Sequence, residues 1–376
     1  MKNSALYIHI PFCDHKCIYC DFYSIITKDN IPSFLISLKK EIDSYSHLYS
    51  RDNCFTSIYF GGGTPSLMDV WYISEIIEHL YKNFSFSELP EVTLETNPGT
   101  VDKDKLKDFF SAGINRLSVG IQSFHKDDLK FLTRIHDKTT AINTVYNAAD
   151  AGFENVGADL IFNLPGQTKS KWLDNLRTVV NLPVKHISAY SLILERGTIL
   201  NKMVIDGKVK IRDKDYDAEL YETAIDFLET KGFFQYEVSN FSKKSYECIH
   251  NKAYWEHKDY LGFGPSAHSF VNGKRWWNYS SLRRYINEIK MNGKAVAGSE
   301  IVNDRELFEE YIMLSLRSKG IDIPELQLKF GDAWLINKLN YFSLLQEREL
   351  LTIDKNSIRL TKSGYALCDE ILSEIL

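Results

Sequence analysis

The chain has 376 residues, 44% of them apolar and 25% charged, with a net charge of −5. That length suggests one large and one small domain, and the acidic balance argues against general binding to nucleic acid, which needs a basic surface. No apolar run reaches the roughly 18 residues that suggest a spanning helix. The start lacks the basic, apolar and cleavage segments of a signal peptide, so the expected compartment is the cytoplasm.

From Ala5 to about Glu195, strand-like runs alternate with amphipathic helical runs. The expected strands are Leu6–Pro11, Ser57–Phe60, Val92–Glu95, Arg116–Gln122, Val156–Phe162 and His186–Ile193. Between them lie helical patterns over Ser33–Tyr49, Asp69–Lys82, Lys103–Ala112, Thr139–Ala151 and Lys169–Val180, several of them stopped by Gly or Pro, as at Ala112-Gly113, Ala151-Gly152 and Leu182-Pro183. A helix that delivers the chain to a new strand each time is the pattern of a parallel sheet. Six such units are too few to close an eight-unit barrel, so the pattern fits either a three-quarter barrel or a doubly wound sheet.

A further helix is expected at about Asp213–Lys231. An aromatic-rich stretch follows, Phe233 to Tyr279, with a hairpin turn at Asn272-Gly273. From about Asn303 the chain is helical, with a short hairpin of Leu350–Ile353 and Ser357–Thr361 before a last helix. That succession looks like a winged-helix module, which in an acidic chain is expected to be structural. The domains expected are therefore 1–232, a connecting region 233–300, and 301–376.

Three of the six cysteines fall within eight residues: Cys13, Cys17 and Cys20, spaced C-x3-C-x2-C directly after the first strand. A disulfide framework would be spread more evenly. Thiolates at these intervals can wrap one [4Fe–4S] cluster, for which four cysteines are usual. With three, one iron is left open for another ligand. The alternative is a zinc site completed by His9 or His15, although zinc loops usually draw on a second cysteine pair and none is present.

The string Tyr7-Ile8-His9-Ile10-Pro11-Phe12-Cys13, followed by Cys17-Ile18-Tyr19-Cys20, resembles the radical S-adenosylmethionine (SAM) superfamily and, more narrowly, its HemN-type family. The branches of that family include oxygen-independent coproporphyrinogen III dehydrogenases and haem chaperones. The resemblance runs through nearly the whole chain. It implies an α/β fold, a partial (β/α)6 barrel followed by a smaller, mostly helical domain with a winged-helix-like hairpin. It also implies that the amino and carboxylate groups of SAM chelate the open iron. In active members an electron from the cluster cleaves SAM to methionine and a deoxyadenosyl radical.

The same resemblance implies a SAM pocket. Gly62, Gly63 and Thr64, in Gly61-Gly62-Gly63-Thr64-Pro65, match the motif at the methionine end; glycines there let backbone approach a ligand. Glu95 matches the partner of the SAM ammonium, Gln122 and Asp159 match polar contacts suited to ribose hydroxyls, and Arg134 matches a contact able to fork a carboxylate. Tyr7 and Tyr19 match the aromatics flanking the cluster loop, and Ile193 falls near the expected adenine. Taken singly, Arg134 would be a surface charge and Glu95 a cap or salt-bridge partner.

Three features separate the branches. The dehydrogenases carry a cysteine two residues beyond the last cluster ligand, where this chain has Phe22. They also carry a long N-terminal extension, whereas only six residues precede Tyr7 here. Finally, His250-Asn251-Lys252-Ala253-Tyr254-Trp255 matches a motif associated with haem in the chaperone branch. His250 is then a candidate axial ligand, against the alternative of a structural corner with its ring nitrogens hydrogen-bonded. Cys248 is expected to be a buried, inert thiol. The expectation is a cytoplasmic carrier with haem as cargo, haem-requiring respiratory proteins as acceptors, a homodimer by resemblance, at most transient membrane contact and no nucleic-acid partner. The rival reading is a radical SAM dehydrogenase acting on coproporphyrinogen III.

Overall fold

The structure, a computed structural model, describes residues 1–50 and 52–376. Its first half is six β-strands: β1 (Lys2–Ile10), β2 (Asn53–Gly62), β3 (Phe86–Thr96), β4 (Arg116–Gln122), β5 (Asn155–Phe162) and β6 (His186–Ser191). They alternate with α1 (Ile31–Tyr49), α2 (Val70–Asn83), α3 (Lys103–Ser111), a short α4 (Lys126–Phe131), α5 (Lys138–Asp150) and α6 (Lys169–Val180). Asp102, Asp137 and Thr168 start α3, α5 and α6 by accepting an amide N–H of the first turn. Of these elements only α4, six residues long, escapes the sequence pattern.

The strands lie in the order β1-β2-β3-β4-β5-β6, each parallel to its neighbours. A doubly wound sheet reverses direction at a switch point; this one does not, so the winding is that of a barrel. It does not close, because β1 and β6 each find a different outer neighbour.

Along each strand the residues alternate in chemistry. Leu117, Val119 and Ile121 of β4, Val156, Ala158 and Leu160 of β5, and Ile187 and Ala189 of β6 pack into one core with Ile76, Leu106, Val145 and Trp172 of the helices. Arg116, Ser118, Gly120 and Gln122, then Asp159, then His186, Ser188 and Tyr190, face the other way and line a cavity. Period-two side-chain placement thus gives the barrel an apolar outside under the helices and a polar inside.

The middle of the chain extends this sheet at both ends. After α7 (Ile199–Ile205) and α8 (Lys214–Thr230), β7 (Phe234–Glu237) and β8 (Asn240–Ser242) form a hairpin whose β8 is antiparallel to β6. After α9 (Ile249–Trp255), β9 (Tyr260–Phe263) pairs parallel to β1, and β10 (His268–Val271) and β11 (Lys274–Asn278) continue outward. Asn272 and Gly273 both have positive φ, 51° and 73°, as the two-residue turn demands. Then α10 (Leu282–Asn292) packs on α1, and β12 (Val296–Ile301) closes a sheet of twelve strands.

A second core, from Tyr311 to Ile375, holds α11 (Asp304–Leu316), β13 (Ile321–Asp322), α12 (Ile323–Phe330), α13 (Ala333–Glu347), β14 (Leu351–Ile353), β15 (Ser357–Leu360), α14 (Lys362–Ala366) and α15 (Cys368–Ile375). The β14–β15 hairpin carries β13 on its other edge, which is the expected winged-helix-like arrangement. Arg275 of β11 ties this domain to the sheet through Glu310 of α11, at 2.7 and 2.8 Å. Among the described residues, no helix is long and apolar enough to cross a membrane.

Two carboxyl groups are buried at the joints of this fold. Glu41 of α1 accepts from Tyr285 Oη (2.6 Å), Asn278 Nδ2 (2.6 Å) and Gly264 N (2.9 Å), binding α1 to α10 and the outer strands. Burial pushes its carboxyl up to about 7, against the pull of those three donors. Glu237, at the end of β7, is pushed up to about 7 by burial as well. An acid whose folded value lies above its ordinary 4.5 stabilises the fold below that value and loses this contribution as pH rises to about 7. Glu41→Gln leaves a buried donor unpaired and lowers stability by about 1–3 kcal/mol. Urea unfolding at pH 5 therefore gives a lower midpoint for the variant, and the gap narrows toward pH 8, because only the parent chain loses the Glu41 contribution as pH rises.

Candidate functional site

Strand ends place the site. The loop after β1 carries Cys13, Cys17 and Cys20 over the open end of the barrel and is tied at its base. Cys13 N donates to Ile25 O at 2.9 Å and Ile25 N to Pro11 O at 2.7 Å. Inside the loop, Lys16 Nζ donates to Phe22 O at 2.5 Å. All three cysteines are free thiols and line one cavity of about 420 Å3, within the usual range for a small-molecule site.

That cavity also takes in Tyr19, Gly62, Gly63, Thr64, Glu95, Gln122, Arg134, Asp159 and Ile193. Each of the six barrel strands, or the loop that follows it, thus delivers at least one of the expected residues to the same place as the cysteines. Tyr7 and His250 are not on its wall. Tyr7 stands behind it, stacked on Tyr59 with ring centres 6.3 Å apart, and its hydroxyl donates to His9 Nδ1 at 3.1 Å.

The glycines of the β2 turn serve the cluster loop as much as a ligand. Gly62 has φ +107°, and a Cβ there would sit 2.5 Å from the His9 ring. A Cβ on Gly63 would meet Phe12 O at 2.7 Å and Ile10 O at 2.8 Å. Gly63 N and Thr64 N donate to Ile10 O and Phe12 O, so the turn runs flush against the loop's first residues.

The zinc alternative loses His9 here. His9 is buried, with Nε2 donating to Tyr23 O at 2.9 Å and Nδ1 accepting from Tyr7, and burial pushes its value down to about 4. His15 is bonded to Thr133 Oγ1 through Nε2. Three thiols along one cavity wall suit a cubane that leaves one iron to another ligand.

On the barrel side the wall is acidic. Glu95 Oε1 accepts from Tyr59 Oη at 3.0 Å and Oε2 from Gly62 N at 3.2 Å. Burial, then the charge of Asp159, pushes the Glu95 carboxyl up to about 7. Asp159 accepts from Ser118 Oγ at 3.1 Å and Ser188 Oγ at 2.7 Å, and burial raises it above the ordinary carboxylate value. Two carboxyls held in one cavity suit an ammonium group and vicinal hydroxyls.

Arg134 is more committed than its sequence context suggests. Nη2 donates to both Asn97 Oδ1 (2.6 Å) and Gly120 O (2.7 Å), while Nη1 lies 3.8 Å from Cys17 Sγ. With both Nη2 hydrogens engaged, this arrangement does not offer the free two-point fork expected for a carboxylate.

His250 lies inside the protein, off the cavity wall. It is 1% exposed, with Nδ1 bonded to Ser57 Oγ (2.9 Å), Nε2 to Tyr254 Oη (3.0 Å) and its ring 4.8 Å from that of Tyr59. Burial, then Arg116, pushes its value down to about 3. Both nitrogens are spent inside the protein, which is the structural-corner alternative. The reason lies at the start of the helix: Glu91 of β3 accepts from Ile249 N and His250 N, both at 3.1 Å, and from Cys248 Sγ at 3.4 Å. Arg116, 3.8 Å away, balances that carboxylate. The first turn of α9 is thereby fastened to the barrel interior, and Cys248, pushed up to about 12 by burial, is an inert thiol. The motif residue that reaches the cavity is Asn251.

Sequence reasoning missed Asn97, Asn251, Ser118 and Ser188. Ser118 precedes Gln122 on the same strand face, and Asn97 follows Glu95 by two, so period-two spacing carried a signal for both. Asn251 lies inside the His250–Trp255 motif, where attention fell on the histidine beside it.

Two family profiles match the chain: the radical SAM superfamily over residues 7–179 and the HemN C-terminal domain over residues 302–367. Radical S-adenosyl methionine domain-containing protein 1, mitochondrial, of Danio rerio is 36% identical, with 100% of this chain and 87% of the relative covered. The heme chaperone HemW of Bacillus subtilis is 32% identical, with 100% and 99% covered. Among solved structures, the coproporphyrinogen III oxidase HemN of Escherichia coli superposes with a TM-score of 0.84 at 23% identity, over 100% of this chain and 90% of that one, and so shares the fold.

The value of about 7 for Glu95 sets a pH dependence. Its carboxylate, the form best able to accept from the amino group of SAM, predominates only above that value. SAM affinity, measured by calorimetry on the cluster-loaded protein, rises as pH is taken from 6 to 8. Glu95→Gln binds more weakly, by about tenfold or more for a lost charged hydrogen bond, and its affinity changes less steeply with pH over that range than that of the parent chain.

Proposed function

The chain belongs to the radical SAM superfamily, in the family of the HemW haem chaperones, and from that premise we propose that it binds haem and passes it to haem-requiring respiratory proteins. The observation that carries this reading is end-to-end similarity: this chain and the Bacillus relative cover 100% and 99% of each other, both domains included. As a family member the protein uses a [4Fe–4S] cluster and SAM. We assign the cluster to Cys13, Cys17 and Cys20, and SAM to the cavity wall of Thr64, Glu95, Gln122 and Asp159. When bound, the cluster supplies one-electron chemistry at the SAM end of the cavity. The residues of the chain supply the rest. Glu95 holds an ammonium, Asp159 presents a carboxylate already oriented by two serines, and the glycine turn seals the loop against β2.

A flat apolar macrocycle needs an apolar surface, and the cavity rim has one. Phe22 is 59% exposed and Ile193 65% exposed, and both line the cavity mouth. Phe22 occupies the position where the dehydrogenase branch is expected to have a cysteine, so an unreactive hydrophobic side chain stands beside the cluster loop. We place haem against this rim, and the protein in the cytoplasm as a homodimer with at most transient membrane contact.

Haemin titrated into the cluster-free protein, followed at the Soret band, tests the proposal. Saturable one-to-one binding is expected. Replacing Phe22 and Ile193 together with serine weakens it by about tenfold or more, since burying either side chain is worth about 1.5–3 kcal/mol. His250→Ala lowers the melting temperature but leaves the Soret maximum in place. A folded His250→Ala chain that has lost the Soret band would move the site to α9. Absence of one-to-one binding in the parent chain would end the haem-carrier reading.

A further inference from the structure

A single hydrogen-bonded chain connects two of the three cluster cysteines. Cys13 Sγ lies 3.4 Å from Thr64 Oγ1, and Asn97 Nδ2 is 2.9 Å from that same oxygen. Asn97 Oδ1 is 2.6 Å from Arg134 Nη2, and Arg134 Nη1 is 3.8 Å from Cys17 Sγ. The direction of every bond follows from chemistry. Arginine has donors only, so it must face the carbonyl side of the Asn97 amide. The amide NH2 then faces Thr64 and donates to it. The Thr64 hydroxyl, with its oxygen already accepting, is left to donate its own proton to Cys13. Both ends of the chain therefore present an N–H or O–H to a sulfur, and the orientation of one amide decides it.

Asn97 is itself rigidly held. Its backbone N donates to Ser66 Oγ at 3.4 Å, and its carbonyl accepts from Thr100 Oγ1 at 2.7 Å. Gly120 O, 2.7 Å from Arg134 Nη2, fixes the guanidinium from the other side. The environment of such a cluster is tuned by donors to its sulfurs, which favour the more negative, reduced form.

We infer that Asn97 is a positioning residue that sets the reduction potential of the cluster, by holding Thr64 and Arg134 as donors to the thiolates of Cys13 and Cys17. It touches neither SAM nor iron and acts through its two neighbours. This goes beyond haem carriage and stands whether or not haem binds, because it is read on the cluster-loaded protein without SAM or haem.

The test is an anaerobic redox titration followed by electron paramagnetic resonance, with iron content and thermal melting confirming that each variant is folded and loaded. In Asn97→Asp both carboxylate oxygens accept, so Thr64 turns its proton toward the introduced carboxylate and Cys13 loses its donor. Thr64→Val removes the same donor without touching Asn97. Each variant is expected to shift the potential to a more negative value. Their combination shifts it no further than the larger single change, because one hydrogen bond has been removed in two ways. Potentials unchanged in both single variants, or shifts that add in full, would overturn the assignment. Should Asn97→Asp fail to load its cluster, Thr64→Val against Thr64→Ser decides: the serine restores the hydroxyl and must restore the potential.

Discussion

The structure depends on period-two alternation in six parallel strands. Buried parallel strands usually read as continuous apolar runs, because helices cover both faces. Here only the outer face is covered by helices. The inner face looks into the barrel and carries arginine, aspartate, glutamate, serine and histidine at alternate positions. An inner wall of that kind cannot collapse on itself as oil would. Each polar group has to find a partner or a ligand, and the rest of the molecule is arranged around that requirement.

The partners divide by depth. Toward the starts of the strands, Arg116 and Glu91 balance each other, and Glu91 spends its remaining capacity on the first amides of α9. This is why the aromatic-rich segment, which looks like a connector in composition, is fastened into the barrel and contributes strands at both ends of the sheet. Toward the ends of the strands, Glu95 and Asp159 have hydroxyl donors but no ion-pair partner among the described residues. Those two carboxyls are the ones left for a ligand. Above them, the cluster loop adds three thiols and the turn after β2 closes against its backbone. The interior thus grades from an ion-paired floor to a receptive mouth.

Much of this was legible in the chain. The six βα units, the cysteine loop, the asparagine–glycine hairpin and the C-terminal hairpin are all local patterns, and local patterns survive without coordinates. The winding of the sheet was not, because doubly wound and barrel arrangements share the same strand and helix rhythm; only the strand order separates them. The role of His250 was hidden for a related reason. Its partners, Ser57, Tyr59 and Arg116, lie on strands far away in the sequence, and a motif cannot announce contacts of that range. The glycine turn was recognised but half explained: its missing side chains make room for Ile10 and Phe12 as well as for a ligand. Asn97 lay in plain view two residues after Glu95, yet its importance comes from Thr64 and Arg134, which reach it from different loops.

The buried carboxyls change what the composition says about the whole molecule. The formal charge of −5 counts every aspartate and glutamate as ionised. Glu41, Glu95 and Glu237 are each pushed up to about 7, so near neutrality a substantial fraction of each carries a proton. The folded chain is accordingly a weaker anion near neutrality than its formal charge implies. On folding these glutamates take up protons while His9, His136 and His250, pushed down to about 4, 4 and 3 by burial, give them up, so the buried acids and the buried bases oppose each other in the proton balance.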